Sequence, residues 1–219
     1  MPFQRHSRVI TLPYCRLSFP HIFEAQPITQ QGRVIGDPRY STLVVLSPKA
    51  LEMVRAAEGE VIRASWPEWG GTTPPAGVTL TRALREGAVA RPGDANLEGK
   101  YFVSANAKQD SPPLVFRKVQ GNLVRISAEE GRPLLYSGAE AHVEVGIYST
   151  QLQVAQPQIN VGLNQILLTE RPMKRFDGRH SAEQAFGTVD ELGEAPPVDG
   201  DDGMGEPPAD NGSDDPLNW

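Results

Sequence analysis

Cysteine is almost absent from this sequence of 219 residues, since Cys15 is the only one. A single cysteine cannot form an intrachain disulfide, which fits a chain kept in a reducing cytosol. A catalytic cysteine needs a base beside it, and nothing near Cys15 in the sequence suggests one. We therefore interpret Cys15 as an inert thiol of the core or of an interface.

Long apolar segments are absent too. No stretch is apolar for the roughly 18 residues that a membrane helix needs, and the N-terminus lacks the charged and then apolar pattern of a signal peptide. We expect no membrane partner and a soluble protein that stays in the compartment where it is made.

The common motifs of enzyme and metal sites are also missing. The sequence has no Walker loop, no GxGxxG, no HExxH and no CxxC. The four histidines are scattered along the chain: His6, His21, His142 and His180. None of them pairs with another histidine or a cysteine at metal-ligand spacing. The sequence predicts no catalytic residue, no metal site and no cofactor, and it favours a binding protein over an enzyme.

Basic residues are missing from the last 30 positions. Residues 190–219 contain ten acidic residues and no Lys or Arg, whereas residues 1–189 contain the other 17 acidic residues and all 21 Lys and Arg. The net charge of -6 therefore combines a body of about +4 with a tail of -10. Such asymmetry indicates a polyanion partner or a regulatory tail. Because the tail is rich in Gly, Pro, Asp and Glu, it is predicted to be disordered.

Most of the body shows β-strand patterns. Runs of β-forming residues between turn residues predict strands at 9–19, 39–46, 100–106, 114–119, 123–126, 139–148 and 158–168. Gly121-Asn122 is the predicted hairpin turn between the fourth and fifth strands. Apolar residues alternate along 141–147, which places them on one face. Ser47 and Pro48 form a helix-start signal, and helical spacing predicts a helix from 48 to about 57.

These elements predict a mainly β fold with one or two helices. A five-stranded, OB-fold-like Greek-key barrel with long loop insertions fits the pattern, and a β-sandwich fits nearly as well. Residues 66–96 form a long irregular insertion, and such insertions are often functional. We divide the chain into a flexible N-terminus (1–8), an OB-fold-like body (9–189) and a disordered acidic tail (190–219). A short capped helix is predicted at 181–186.

Basic and aromatic residues stand side by side at several points in the body. Sequence-tolerant binding of single strands needs cations along the phosphates and aromatic faces for the bases. The candidate DNA-binding residues are Arg39, Tyr40, Lys100, Tyr101, Lys108, Phe116, Arg117 and Lys118. Core packing is the alternative for each aromatic residue, and a solvated surface is the alternative for each basic one. Tyr101 and Phe102 take opposite faces of a strand, so one of them should be core.

Seven short segments, taken in order, carry a likeness to a known family. They are residues 16–23, 39–49, 99–108, 135–138, 161–166, 176–179 and 181–186. Together they resemble the single-stranded-DNA-binding proteins of tailed bacteriophages over about residues 8–188, with departures at 66–94 and 111–132. The resemblance implies an OB-fold that binds and protects single-stranded DNA during phage DNA replication and recombination, in the cytoplasm of the bacterial host. The DNA contacts that it implies are Lys100, Tyr101 and Lys108.

The resemblance further implies that the acidic tail contacts replication proteins of the phage or the host. Asp214 and Asp215 precede Leu217 and Trp219, which together form an apolar tip on an acidic string. Such a tip suits a basic-rimmed pocket on a partner, and the tail would also regulate access of DNA to the body. A homodimer is left open. The alternative function is a structural, β-rich virion component, which does not explain the tail.

Overall fold

The computed structural model of the chain describes residues 4–30, 33–151 and 156–176. Its strands are β1 (Ser7–Gln30), β2 (Arg33–Val45), β3 (Arg85–Glu86), β4 (Tyr101–Lys108), β5 (Leu114–Val119), β6 (Asn122–Arg125), β7 (Glu140–Thr150) and β8 (Gln158–Leu168). Its α-helices are α1 (Pro48–Ser65), α2 (Gly87–Ala90) and α3 (Ala128–Gly131). The acidic tail, its four partner-binding candidates and the predicted helix at 181–186 lie outside the described residues.

Five of the strands close into a barrel. Antiparallel pairs join β1 to β2, β2 to β4, β1 to β7 and β7 to β8. The barrel closes where β4 runs parallel to β8, with Ala105 opposite Val161. This mainly β architecture is consistent with the OB-fold, so the barrel prediction is confirmed and the sandwich alternative is wrong.

The remaining strands extend the sheet beyond the barrel. β3 pairs with the start of β4, and the β5–β6 hairpin runs along the second half of β8. Gln120 and Gly121 both have positive φ, at 48° and 88°, and therefore form the two-residue turn between β5 and β6. The predicted turn at Gly121-Asn122 was wrong by one residue, because Asn122 pairs with Val119.

The core follows the predicted alternation and extends onto α1. The four apolar side chains from Ala141 to Ile147 in β7 are fully buried. The side chain of Ser47 caps α1 by accepting from the backbone N–H of Ala50. The helix continues past its predicted end because Val61 and Ile62 prolong the apolar face that packs on the barrel. Within the described part of the chain, no helix is long and apolar enough to span a membrane.

Cys15 lies inside the barrel and is fully buried. Burial raises the pKa of its thiol to about 12, so the thiolate is almost unpopulated at neutral pH. The interpretation of Cys15 as an inert core thiol is consistent with this placement.

A buried carboxylate fixes the long insertion to the barrel. Glu58 of α1 is 2% exposed, and its Oε1 accepts a hydrogen bond of 2.8 Å from the backbone N–H of Ala83. Its Oε2 lies 3.3 Å from Nη1 of Arg82. Beyond a 3-10 turn at Pro67–Trp69, β3 and α2, the insertion has little regular structure, as predicted. These bonds tie the insertion to α1 just before β3, and β3 in turn pairs with the start of β4.

Candidate nucleic-acid interface

The outward face of β2 and β4 divides into a covered half and an open half. Strand register places four outward pairs along it: Val45–Phe102, Leu43–Ser104, Ser41–Asn106 and Arg39–Lys108. The first half is covered by Leu97, which directly follows the insertion, and by Phe176; both pack with Phe102 in a small apolar cluster. The open half is polar and ends in the two cations.

Two adjoining recesses lie over this open half. Their volumes are about 480 Å³ and about 230 Å³, and both are lined by Arg39, Ser104 and Asn106. The β1–β2 hairpin borders the larger recess, and the insertion borders both. Five Lys and Arg side chains line the combined surface, and one of them, Arg82, pairs with Glu58. The other four define what we call the cationic groove: Arg39, Arg85, Arg91 and Lys108.

The cations of the cationic groove have no carboxylate partner in the part of the chain that the structure describes. Within residues 4–30, 33–151 and 156–176, none of its four basic side chains forms an ion pair. Arg82, which also lines the smaller recess, is different because it binds Glu58 and donates to the carbonyl oxygen of Thr72 at 2.8 Å. Unpaired cations along a groove attract a chain of phosphates.

An exposed aromatic ring stands at the edge of the groove. Phe19 is 50% exposed, and the guanidinium of Arg91 lies 5.5 Å from its ring centroid. Its φ of 50° is unusual for a bulky residue, and it sits where the β1–β2 register shifts between Ser18 and His21. Bulges redirect side chains, and strained backbone gathers at binding sites. The ring is therefore well placed to stack a base.

Two of the sequence-predicted residues meet in this groove. Arg39 and Lys108 are direct cross-strand neighbours. Lys100 lies beside the covered half, where its Nζ donates to the carbonyl oxygen of Asn96 at 2.8 Å and lies 5.5 Å from the ring of Phe176.

The predicted aromatic residues of β2 and β4 lie away from the groove. Tyr40 packs against the barrel core and lines a recess at one end of the barrel with Phe23. Tyr101 is half-buried under the guanidinium of Arg55, at 5.1 Å. Phe102 is 1% exposed, so one member of the Tyr101–Phe102 pair is core, as expected.

The three predicted residues of β5 also lie apart from the groove. Phe116, Arg117 and Lys118 are on the hairpin beside the second half of β8, whereas β4 pairs with its first half. Nη2 of Arg117 donates to Oε2 of Glu170 at 3.0 Å. Its Nε is 2.8 Å from Oε1, close enough for an ion pair but without hydrogen-bond alignment. This pairing leaves Arg117 less available to a phosphate than the groove cations.

Sequence reasoning missed three residues of this surface: Phe19, Arg85 and Arg91. The two arginines lie in the insertion, whose irregular pattern gave no face on which to place them. The signal for Phe19 was its position before Pro20, because proline interrupts a strand. For Arg85 and Arg91, the sequence offered one indication: they are arginines in a long insertion, and long insertions are often functional.

The groove offers cations and an aromatic ring. His21 lines it, but no group of three or more His, Cys, Asp or Glu side chains in the described ranges could hold a metal ion. Cations with an aromatic ring suit a flexible polyanion whose bases are free to stack.

Comparison with known proteins identifies one family. The family model described as "Enterobacter phage Enc34, ssDNA-binding protein" matches residues 7–196. The solved structure of the single-stranded DNA-binding protein from bacteriophage Enc34 in complex with ssDNA is 18% identical, with a TM-score of 0.55 over 75% of this chain and 87% of that chain. The structure of a C-terminal truncation of the Enc34 protein is 20% identical, with a TM-score of 0.56 over 75% of this chain and 86% of that chain. These structures share the fold of this chain. No curated protein matches the sequence.

Proposed function

The chain belongs to the family of the single-stranded-DNA-binding protein of Enterobacter phage Enc34, and on this premise we propose that it binds single-stranded DNA through the cationic groove. The observation that carries the proposal is the Arg39–Lys108 pair on the open half of the β2–β4 face. OB-folds bind oligonucleotides on the face of their second and third barrel strands, which are β2 and β4 here. The structure of the Enc34 protein in complex with ssDNA supports the same partner.

The proposed binding mode is tolerant of sequence and does not involve catalysis. Phosphates follow the four cations, and a base stacks on the ring of Phe19. In the cell, the protein would cover and protect single-stranded DNA during phage replication and recombination, in the cytoplasm of the bacterial host. The proposed function is compatible with a homodimer. It does not require one, because the groove is formed within one chain.

We further propose that the acidic tail (residues 190–219) regulates access of DNA to the groove. Phe176, the last described residue, is fixed beside the groove: its N–H donates to Ser137 at 2.8 Å, and its carbonyl oxygen accepts from Asn96 at 3.0 Å. A flexible coil of 30 residues has its ends roughly 30 Å apart, which gives the tail a local concentration near the millimolar range. When DNA displaces the tail, its tip (Asp214 to Trp219) becomes available to recruit replication proteins of the phage or the host.

The salt dependence of DNA affinity tests the groove directly. If four cations each neutralise one phosphate of a single strand, a plot of log K against log salt has a slope of about -3. Affinity then falls about 50-fold between roughly 50 and 200 mM salt. The double variant Arg39→Ala/Lys108→Ala should reduce the slope to about half, measured by fluorescence anisotropy with a labelled single strand.

The matched control is Lys49→Ala, which removes an exposed cation at the start of α1. It should leave the slope unchanged. Equal affinity for duplex and single-stranded DNA, or an unchanged slope in the double variant, would contradict the proposal.

A further inference from the structure

The sheet ends in a free strand edge at β6. This strand is last in the order of the sheet, and among the described strands it pairs with β5 alone. All of β6 is exposed, and its two central side chains are apolar: Leu123 is 63% exposed and Val124 is 43% exposed. The strand contains neither the lysine nor the proline that commonly protects an edge. An edge of this kind is a template for pairing with another strand.

Alternate residues of β6 turn their backbone groups away from β5. Just beyond the strand, the N–H of Ile126 donates to the carbonyl oxygen of Val115 at 3.0 Å. Bonded and non-bonded positions alternate along an antiparallel pair, so Val124 also bonds to β5, whereas the backbone groups of Leu123 and Arg125 point to the free edge. Within the part of the chain that the structure describes, no group bonds to those outward N–H and C=O groups. Water or another strand must therefore satisfy them.

We propose that β6 is a self-association edge, where it pairs in antiparallel fashion with β6 of a second copy of this chain. A two-fold axis through Val124 places Leu123 opposite Arg125 of the second copy, and Arg125 opposite its Leu123. Residues that are opposed at bonded positions exchange both of their hydrogen bonds. This register therefore uses every outward N–H and C=O group of Leu123 and Arg125 in both copies, and the surface is its own complement, as a two-fold contact requires.

The side chains agree with the same register. On one face of the sheet, Val124 meets Val124 of the second copy, which is an apolar contact at the axis. On the other face, each arginine lies opposite a leucine and not opposite the other arginine, so directly opposed like charges are avoided. An axis through Leu123 would instead place Arg125 opposite Gly121, which lies in the hairpin turn with a φ of 88°. That register would leave the outward groups of Arg125 without a strand partner.

A recess lies beside the end of β6, and its volume is about 390 Å³. Its lining includes residues 125–128. In the proposed register, Asn122 of the second copy stands opposite Ile126, and the turn of that copy (Gln120 and Gly121) comes next along the chain. The register therefore directs the second turn towards open space. Because the contact is short, the area that it buries is small, and the dimer should form in a concentration-dependent way.

Cysteine cross-linking tests the register, because the native Cys15 is fully buried and its thiolate is almost unpopulated. Val124→Cys places two cysteines opposite each other at a non-bonded position, where Cα atoms are about 4.5 Å apart, which a disulfide can span. Mild oxidation of this full-length variant should give a covalent dimer of twice 23.9 kDa on a non-reducing gel. Leu123→Cys is the matched variant. Its two cysteines are diagonal neighbours, roughly 7–8 Å apart, and should cross-link several-fold less, since disulfides rarely span more than about 7 Å.

Sedimentation across a concentration series tests the edge without a cross-link. The native chain should show a dimer fraction that grows with concentration. Val124→Arg opposes two arginines at the axis, so it should raise the dissociation constant of the dimer by at least about tenfold. Val119→Arg is the matched control, because Val119 lies on β5 of the same hairpin and is 40% exposed. It should associate as the native chain does. Both variants should keep the native melting temperature, because both positions are exposed.

Three results would overturn the proposal. The first is a native chain that stays monomeric at every concentration, even if an unrelated strand binds the edge. The second is an equal loss of association in Val119→Arg and Val124→Arg, which would place the contact elsewhere. The third is a disulfide that forms as readily in Leu123→Cys as in Val124→Cys, because random collision gives that result and the proposed register does not.

Discussion

Arg39 and Lys108 stand directly opposite each other on the outward faces of β2 and β4. Like charges at directly opposed positions of a sheet are destabilising, by roughly 0.2–1 kcal/mol. No carboxylate in the described residues forms an ion pair with either side chain. The repulsion is removed when a phosphate lies between the two cations, so the same pair weakens the free protein and strengthens its complex with a polyanion.

Reversing one of these charges should therefore change stability and DNA affinity in opposite directions. Lys108→Glu replaces the repulsion with an attraction to Arg39, and we expect a gain of up to about 1 kcal/mol in unfolding free energy. The affinity for a single strand should fall about tenfold at low salt. Urea unfolding and anisotropy titration measure the two quantities.

The control for this charge reversal is Lys118→Glu on β5, where the cross-strand neighbour is Leu123. Lys118→Glu should change the unfolding free energy and the affinity for a single strand much less than Lys108→Glu does. If Lys108→Glu loses stability together with affinity, the like-charge explanation is wrong.

Phe19→Gly should weaken binding without weakening the fold. The ring contributes about 1–3 kcal/mol if it stacks a base, whereas its φ of 50° costs energy that glycine does not incur. Tyr14→Gly is a close control, because Tyr14 has a φ of 51°, is 53% exposed and lies outside the groove. Phe19→Gly should be at least as stable as the native protein, whereas Tyr14→Gly also loses the edge-on contact of its ring with His142, 4.6 Å between centroids. Only Phe19→Gly should lose affinity. Equal losses in the two variants would remove Phe19 from the site.

Glu58 should control the position of the insertion. Glu58→Ala leaves the N–H of Ala83 without its buried acceptor, and we expect a loss of about 1–3 kcal/mol in unfolding free energy. Hydrogen exchange at the amide of Ala83 should accelerate, and DNA affinity should fall because Arg85 is no longer held at the groove.

Glu60→Ala is the control on the same helix. Glu60 is exposed, and its one ion pair among the described residues is with Arg8, so its loss should change stability by no more than about 0.5 kcal/mol. An unchanged exchange rate at Ala83 in Glu58→Ala would show that other contacts hold the insertion.

Local patterns predicted the barrel, and long-range contacts decided the site. The alternation along 141–147 is set by neighbouring residues, so the buried face of β7 could be read directly from the sequence. The Arg39–Lys108 pair depends on the register between two strands about 70 positions apart, which no local pattern gives. Tyr40 shows the same limit: an aromatic residue beside a cation is typical both of a stacking site and of a core strand, and only the register places the Tyr40 side chain against the core. The positive φ of Phe19 accompanies a register shift between Ser18 and His21, and Pro20 is the one indication of this irregularity in the sequence.

Truncation after Val189 tests whether the tail competes with DNA. The removed segment carries a charge of -10 and the remaining body about +4, so truncation removes the proposed competitor of DNA. The truncated protein should bind single strands more tightly than the full chain, and the gain should shrink as salt rises, because screening weakens the attraction between the tail and the groove.

A variant with Leu217 and Trp219 replaced by alanine keeps every charge of the tail and separates its two proposed roles, competition with DNA and recruitment of replication proteins. It should retain full competition while losing capture of replication proteins in a pull-down. If truncation leaves the affinity unchanged at low salt, the tail does not occupy the groove, and its charge serves another purpose such as solubility.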